Sequence, residues 1–417
     1  MDRKKVAIIG AGQRGEMYAS YALRNAHQIE IVAIAEPITE RRNKFQKLYS
    51  LPESMCFEDW RDLLSAPKLA DAVIICTQDR MHFEVTMKAL ETGYHILLEK
   101  PMSTDPQECR LMGEKAKQHD KVFSICHVLR FTSFFATIKK MLDEDRIGSL
   151  ISIQHNENVG YWHQAHSYVR GNWSKTEEAS PMILSKSSHD LDMMLWLAGA
   201  DCLQISSFGC LSHFKTKNAP EGAPKRCLDG CPIADECAYY APKQYLTKDT
   251  EWPTSAISVD TSYEARLQAL QIGPYGRCVY HCDNDVVDHQ VVNMYFENEV
   301  TGVFTMSAFT NDCNRTIKLM GTRGEIRGTM EKNEIEITTF DTGIKELIRF
   351  PEIIGHVGHG GGDDGLMKDF IKRIGDDRAV QGRTSAINSV QSHLMAFAAE
   401  QSRLEGRVIH MKEFIGV

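Results

Sequence analysis

Six residues near the N-terminus, Gly10-Ala11-Gly12-Gln13-Arg14-Gly15, constrain this chain more than any other feature. They follow the apolar run Val6–Ile9 and lead into a helix-like stretch. A short buried strand that turns on glycines into a helix N-terminus builds a pyrophosphate site, because the first helical N–H groups and the helix dipole both favour an anion. Gly10 permits the tight turn, Gly12 lets the backbone approach the phosphates, and Gly15 lets the helix pack closely on the strand. Gln13 and Arg14 open the helix beside them. A second apolar run, Ile29 to Ala35, ends in Glu36. That acid lies about 20 residues past the last glycine, where a carboxylate accepts the ribose hydroxyls of a dinucleotide and repels a 2′-phosphate. NAD(H) is the expected cofactor; the neighbouring Arg41 and Arg42 leave NADP(H) open.

At 417 residues the chain has room for two or three domains. Its formal net charge of −8 argues against a nucleic-acid or membrane-surface partner. The charged start, Met1 to Lys5, leads into only four apolar residues, too few for a signal peptide, and no run reaches transmembrane length. The expected location is the cytoplasm. There the 12 cysteines are expected as thiols rather than disulfides.

Strand and helix patterns alternate through about residue 125, with strands expected at 5–9, 29–35, 71–76, 95–99 and 122–126. This predicts a parallel sheet with helices on both faces, and a ligand at the carboxyl ends of its strands. From about 150 the pattern changes to longer runs at 150–158, 202–210, 287–296, 300–309, 314–320 and 333–340. Helical segments are expected at 182–198, 362–373 and 386–402. The expected fold class is α/β: a Rossmann dinucleotide-binding domain over 1–130, then an α+β domain over 131–417 with a large open, mainly antiparallel sheet. Residues 211–280 are rich in Gly, Pro, Cys and charge and read as an insertion. A long irregular stretch in a compact domain is expected to be functional, metal-stapled or mobile.

Further signatures lie at the strand ends. Ile75-Cys76-Thr77 is followed five residues later by His82, and the next strand ends Leu98-Glu99-Lys100-Pro101. With Gly10–Gly15, Arg130-Phe131 and Ile147-Gly148, this set resembles the Gfo/Idh/MocA family of glucose–fructose oxidoreductase, inositol dehydrogenase and relatives. The resemblance implies a sugar or polyol site between the two domains and a lysine, Lys100, that bridges cofactor and substrate. It implies cofactor contacts at Thr77, His82, Glu99 and Arg130, and a homo-oligomer, dimer or tetramer, formed through the C-terminal sheet.

Lys100 stands at the strand end where ligands bind. Removing hydride from a secondary alcohol requires a group to take the hydroxyl proton, and a lysine with a depressed pKa does this. The second constellation is Ser185-Lys186-Ser187-Ser188-His189-Asp190-Leu191-Asp192. On a continuous helix, Lys186, His189 and Asp192 share one face. The resemblance implies His189 as the catalytic histidine. The family commonly has an Asp four residues before that histidine, and Ser185 departs from this. Asp192 is expected to fix the His189 tautomer or cap nearby backbone. Lys186 is expected to bind a substrate oxygen or carboxylate and to help depress the pKa of Lys100.

Between Trp162 and Trp173 the chain is dense in aromatic and polar groups, and His163, His166, Tyr168, Arg170 and Trp173 read as substrate-facing. His359, in a glycine-rich lead-in (355–362) to a helix starting near Asp363, reads either as part of a cap or as a further substrate contact. Cys227, Cys231 and Cys237, with His213 fourteen residues upstream of the first, match the composition of a tetrahedral structural zinc site. Cys210 is the alternative fourth ligand for an iron–sulfur cluster. The expected activity is NAD(H)-dependent oxidation of a secondary hydroxyl on a small carbohydrate. A redox-assisted glycosidase that recycles its cofactor, and a non-catalytic NAD-binding regulator, are the alternatives.

Overall fold

The computed structural model describes residues 3–351, 358–376 and 382–415. The N-terminal strands are β1 (Lys4–Ile9), β2 (Ile29–Ala35), β3 (Cys56–Phe57), β4 (Ala72–Ile75), β5 (His95–Leu98) and β6 (Phe123–Ile125). They form one parallel sheet in the order β3-β2-β1-β4-β5-β6. Their connections carry α1 (Gln13–Arg24), α2 (Thr39–Tyr49), α3 (Trp60–Ser65), α4 (His82–Glu91) and α5 (Pro106–Gln118). Alternate residues of β1 feed two cores: Val6 and Ile8 pack on one side, Ala7 and Ile9 on the other. This is why the strand reads as an unbroken apolar run. The order reverses between β1 and β4, which opens a crevice at their carboxyl ends.

The second sheet contains β7 (Leu150–Asn158), β8 (Cys202–Cys210), β9 (His289–Phe296), β10 (Thr301–Ser307), β11 (Asn314–Gly321), β12 (Gly324–Thr329), β13 (Glu334–Thr339), β14 (Lys345–Arg349) and β15 (Ile409–His410). Its order is β14-β13-β12-β11-β7-β10-β9-β8-β15. Every pairing is antiparallel except β7 with β10, so the sheet is mixed. The longer helices of this half are α6 (Ser133–Asp143), α7 (Ser188–Ala198), α8 (Tyr263–Ile272), α9 (Gly362–Ile374) and α10 (Ala386–Glu405). Residues of α6, α7 and α10 join one face of the sheet in a single apolar core.

Two expectations need amendment. The helix expected over 182–198 is two pieces, Met182–Ser185 and α7, with Lys186 and Ser187 at the break. The chain also returns to its first domain: Leu366, Met367, Phe370, Ile371 and Ile374 of α9 pack in the same core as Val6 and Ile8. The division at residue 130 therefore leaves out part of the first domain's core. No helix among the described residues is long and apolar enough to cross a membrane.

Candidate active site

The glycine loop is built as its spacing requires. Gly10 has φ +93°, and a Cβ there would lie 2.5 Å from the Cys76 carbonyl oxygen. A Cβ on Gly15 would lie 2.0 Å from the Gly10 carbonyl oxygen. Gly12 is different: its nearest neighbour would be Arg41 Nη1 at 4.0 Å, so open space lies over this backbone. No side chain caps α1, which leaves its first N–H groups for an anion. The Thr77 hydroxyl, just past β4, is buried without a partner. These features fit a dinucleotide.

Several expected cofactor contacts also brace the loop. Glu36 is buried; its carboxylate accepts from Ala11 N (2.7 Å) and Ile38 N (3.0 Å), tying the glycine loop to the end of β2. Arg14 Nε donates to Glu99 Oε1 at 2.6 Å, and Arg14 also pairs with Asp363 at the start of α9. Glu99 accepts from the Tyr18 hydroxyl and from Lys100 N as well. His82 lies between the carbonyl oxygens of Pro101 (2.6 Å) and Thr77 (3.1 Å). Gln13 opens α1.

Lys100 follows β5 and crosses to the second domain, where Nζ donates to the Ser185 carbonyl at 2.6 Å. Burial lowers its pKa; Glu99 and Asp79 oppose this, while Lys186 and Arg14 reinforce it. His189, at the start of α7, is buried, and its Nδ1 has no partner. Burial and then the charge of Lys100 hold its pKa well below the usual histidine range. The rings of His189 and His359 are 5.8 Å apart, and His359 Nδ1 lies 3.0 Å from Asp363 Oδ2. His359 thus reaches the site, while residues 355–357 of its lead-in lie outside the described residues.

The shared helix face does not form. Lys186, at the helix break, pairs with Glu157 Oε1 at 3.2 Å. Glu157 also meets Arg315, which pairs with Asp190 at 2.8 Å; Asp190 in turn meets His155 Nε2 at 2.8 Å. Burial raises the pKa of Glu157. Burial also works against the charge of Asp190, but Arg315 and His155 overcome it and hold that carboxyl below its usual range. Asp192 does not hold His189. Its two oxygens accept from Arg130 Nε and Nη2, each at 2.7 Å, and Arg130 Nη1 donates to the Arg383 carbonyl at 2.8 Å. Arg130 therefore spends its guanidinium on pinning α7 to the loop after β6, not on an open cofactor cleft.

The aromatic stretch divides. Trp173 Nε1 donates to Asp79 Oδ2 at 3.2 Å, beside Lys100. His163 is partly exposed; burial and then Lys186 lower its pKa. Tyr168 is buried between these two rings. His166 and Arg170 turn away from the reacting groups. His166 Nδ1 meets the Tyr245 hydroxyl at 2.9 Å, and Arg170 donates to the carbonyls of Arg277 (2.8 Å) and Tyr239 (2.7 Å). Both are buried against the insertion, so neither is placed at the reacting hydroxyl.

The metal expectation is also corrected. His213 Nε2 faces the Tyr280 hydroxyl at 3.2 Å and packs among Phe214, Tyr239 and Phe309. Cys210 Sγ lies 3.8 Å from His289 Nε2 at the sheet edge. Cys227, Cys231 and Cys237 border a small cavity of about 10 Å³ with Cys278 and Arg170. Among the described residues, no three His, Cys, Asp or Glu side chains are gathered as a metal site.

Asp79, Glu157 and Arg315 were missed from the sequence. Asp79 had a signal, standing four residues past β4. Glu157 and Arg315 had none, since only the pairing of β7 with β11 sets them opposite each other.

Residues 4–127 match an oxidoreductase family described as an NAD-binding Rossmann fold, and residues 139–411 match its C-terminal alpha/beta domain. YteT of Bacillus subtilis (strain 168), an oxidoreductase by name, is 24% identical over 79% of this chain and 78% of its own length. The scyllo-inositol 2-dehydrogenase (NAD(+)) of the same organism is 25% identical over 49% of this chain; the match spans 57% of that protein. A solved structure of levoglucosan dehydrogenase with NADH and L-sorbose superposes with a TM-score of 0.74 at 18% identity, covering 99% of each chain. This last likeness is one of fold. With both domains matched in order along most of its length, the chain belongs to the Gfo/Idh/MocA family of oxidoreductases.

Proposed function

We propose that this chain transfers hydride between NAD(H) and a secondary hydroxyl of a sugar, sugar acid or cyclic polyol. The observation that carries the reading is Lys100: a half-buried amine with a lowered pKa, at the strand edge beside the glycine loop and next to an uncharged His189. A nicotinamide dinucleotide bound at Gly10–Gly15 supplies the hydride acceptor. Lys100, when neutral, takes the hydroxyl proton at Nζ. His189 is within the same cluster and orients the hydroxyl. Lys186 keeps Lys100 from holding a proton too tightly, because two ammonium groups in a desolvated site repel. Mixing the protein and NAD with free sugars, inositols, uronates and aryl glycosides, and following NADH fluorescence and aglycone release together, tests this. NADH formation supports it. Aglycone release without net NADH, or no reaction in any well, contradicts it.

The electrostatics give a pH prediction. Oxidation needs neutral Lys100, so kcat/KM falls as pH drops through the Lys100 pKa. Lys186→Met removes a charge that lowers this pKa, so the acid limb of the profile moves to higher pH. An unmoved limb would show that Lys186 does not act on Lys100.

Cofactor choice gives another. Glu36→Gln keeps an acceptor for one of the two backbone amides that Glu36 holds, Ala11 N or Ile38 N, but removes the charge that repels a 2′-phosphate. The preference for NAD over NADP in kcat/KM is expected to fall about tenfold, a change of about 1.4 kcal/mol. Self-association is assigned to the open sheet, where Phe208 and Tyr295 point to solvent from neighbouring strands β8 and β9. Light scattering on the eluting protein checks it: a dimer or tetramer is expected.

A further inference from the structure

We propose that Trp252, carried by the insertion, is the platform of a second sugar-binding subsite, so that this chain takes a glycoside or disaccharide in preference to a free monosaccharide. The proposal rests on the reading that a sugar hydroxyl reacts at Lys100 and His189.

The insertion meets the aromatic stretch that leads to the site. The Trp173 indole N–H donates to Asp79, the Tyr168 ring lies 6.1 Å from Trp173 and 6.0 Å from His163, and His163 touches Trp252 with ring centroids 4.8 Å apart. Trp252 thus stands at the outer end of this row of rings. Trp162 and His166 complete its surroundings at 5.4 Å and 5.6 Å. All three rings cross the indole steeply, at 61°, 83° and 86°. Among the described aromatic contacts, no ring lies parallel on either indole face. Trp252 is also 39% exposed, a large apolar surface left to water at the rim of the site.

A pyranose ring presents C–H groups on its flat faces and hydroxyls at its edge. The exposed part of the indole binds the former by dispersion and loss of apolar hydration, while the hydroxyls stay wet. The residues beside the platform are held in place. Gln244 Nε2 donates to the Trp162 carbonyl at 3.2 Å, His166 meets Tyr245, and Arg266 Nη1 donates to the carbonyls of Tyr245 (2.6 Å) and Thr247 (3.0 Å). The wall against which Trp252 packs is therefore ordered before a ligand arrives, which favours binding. Burial lowers the pKa of both flanking histidines, His166 to about 3, so they are uncharged at neutral pH. That suits a neutral second ring rather than a phosphate or uronate.

The experiment compares wild type, Trp252→Ala and Trp252→Phe with NAD and matched pairs of substrates: glucose, galactose and mannose against disaccharides ending in each. Tryptophan fluorescence is titrated with the same disaccharides. In wild type the disaccharide of the active pair is the better substrate. Trp252→Ala lowers the disaccharide-to-monosaccharide ratio of kcat/KM about tenfold, mainly through KM, and Trp252→Phe keeps most of it. The wild-type fluorescence change on adding disaccharide is lost in Trp252→Ala. A ratio unmoved by Trp252→Ala, or a wild type that prefers the monosaccharide, overturns the subsite and leaves the proposed reaction standing. No NADH from any sugar overturns both.

Discussion

Lys100→Met is expected to lower kcat for sugar oxidation about 10³-fold while NADH binding changes only a few-fold. Methionine keeps the length and the apolar stem that the buried site accommodates, and removes only the nitrogen that accepts the proton. A loss of this size is about 4 kcal/mol of transition-state stabilisation. Lys100→Arg is expected to be equally inactive, because a guanidinium does not give up its proton and cannot serve as a base. Steady-state rates with fluorescence titration of NADH separate the two effects. A variant that loses cofactor binding and turnover in parallel would make Lys100 a cofactor anchor, not a base.

The second large effect is structural. Asp192→Ala is expected to destabilise the protein by about 3–5 kcal/mol, because it leaves Arg130 buried and charged without its carboxylate. Both side chains are almost wholly buried, and their two 2.7 Å bonds join α7 to the end of the first sheet. The loss reaches the active site, since His189 sits on the same helix. Burial works against the charge of Asp192, but Arg130 and His127 outweigh it and lower the pKa. A carboxyl with a lowered folded pKa contributes stability that is fully present above its unfolded pKa, near 3.9, and is lost as pH falls through the folded value. Wild type therefore loses more stability than Asp192→Ala as pH drops below about 4. Urea unfolding midpoints at neutral and acidic pH check both parts. Equal midpoints at neutral pH would show that the pair contributes nothing.

Much of this molecule was legible in its residues, and the rest has identifiable causes. The first domain declared itself because strands such as β1, β2 and β5 are largely buried on both faces and read as apolar runs that end at Gly10, Glu36 and Glu99. The pyrophosphate loop and Lys100 follow from strand ends, which local sequence marks. In the second domain, β12 was hidden because Gly324 and Gly328 interrupt its alternation, and β15 is only two residues long. The site residues missed there, Glu157 and Arg315, meet through strand order, a long-range property. Asp192 and Arg130 were found as polar residues at suggestive positions but given the wrong partners, since their bond spans 62 residues. His213 and the cysteines show the same limit: spacing along a loop does not say which way each side chain turns.

The most direct measurement of the central claim follows a single hydrogen. A substrate sugar deuterated at one ring carbon at a time is incubated with the protein and NAD, and the NADH formed is examined by mass spectrometry and NMR. The account predicts deuterium at nicotinamide C4 for one ring position alone, the carbon bearing the hydroxyl that Lys100 deprotonates. NADH free of deuterium from every labelled position would contradict it.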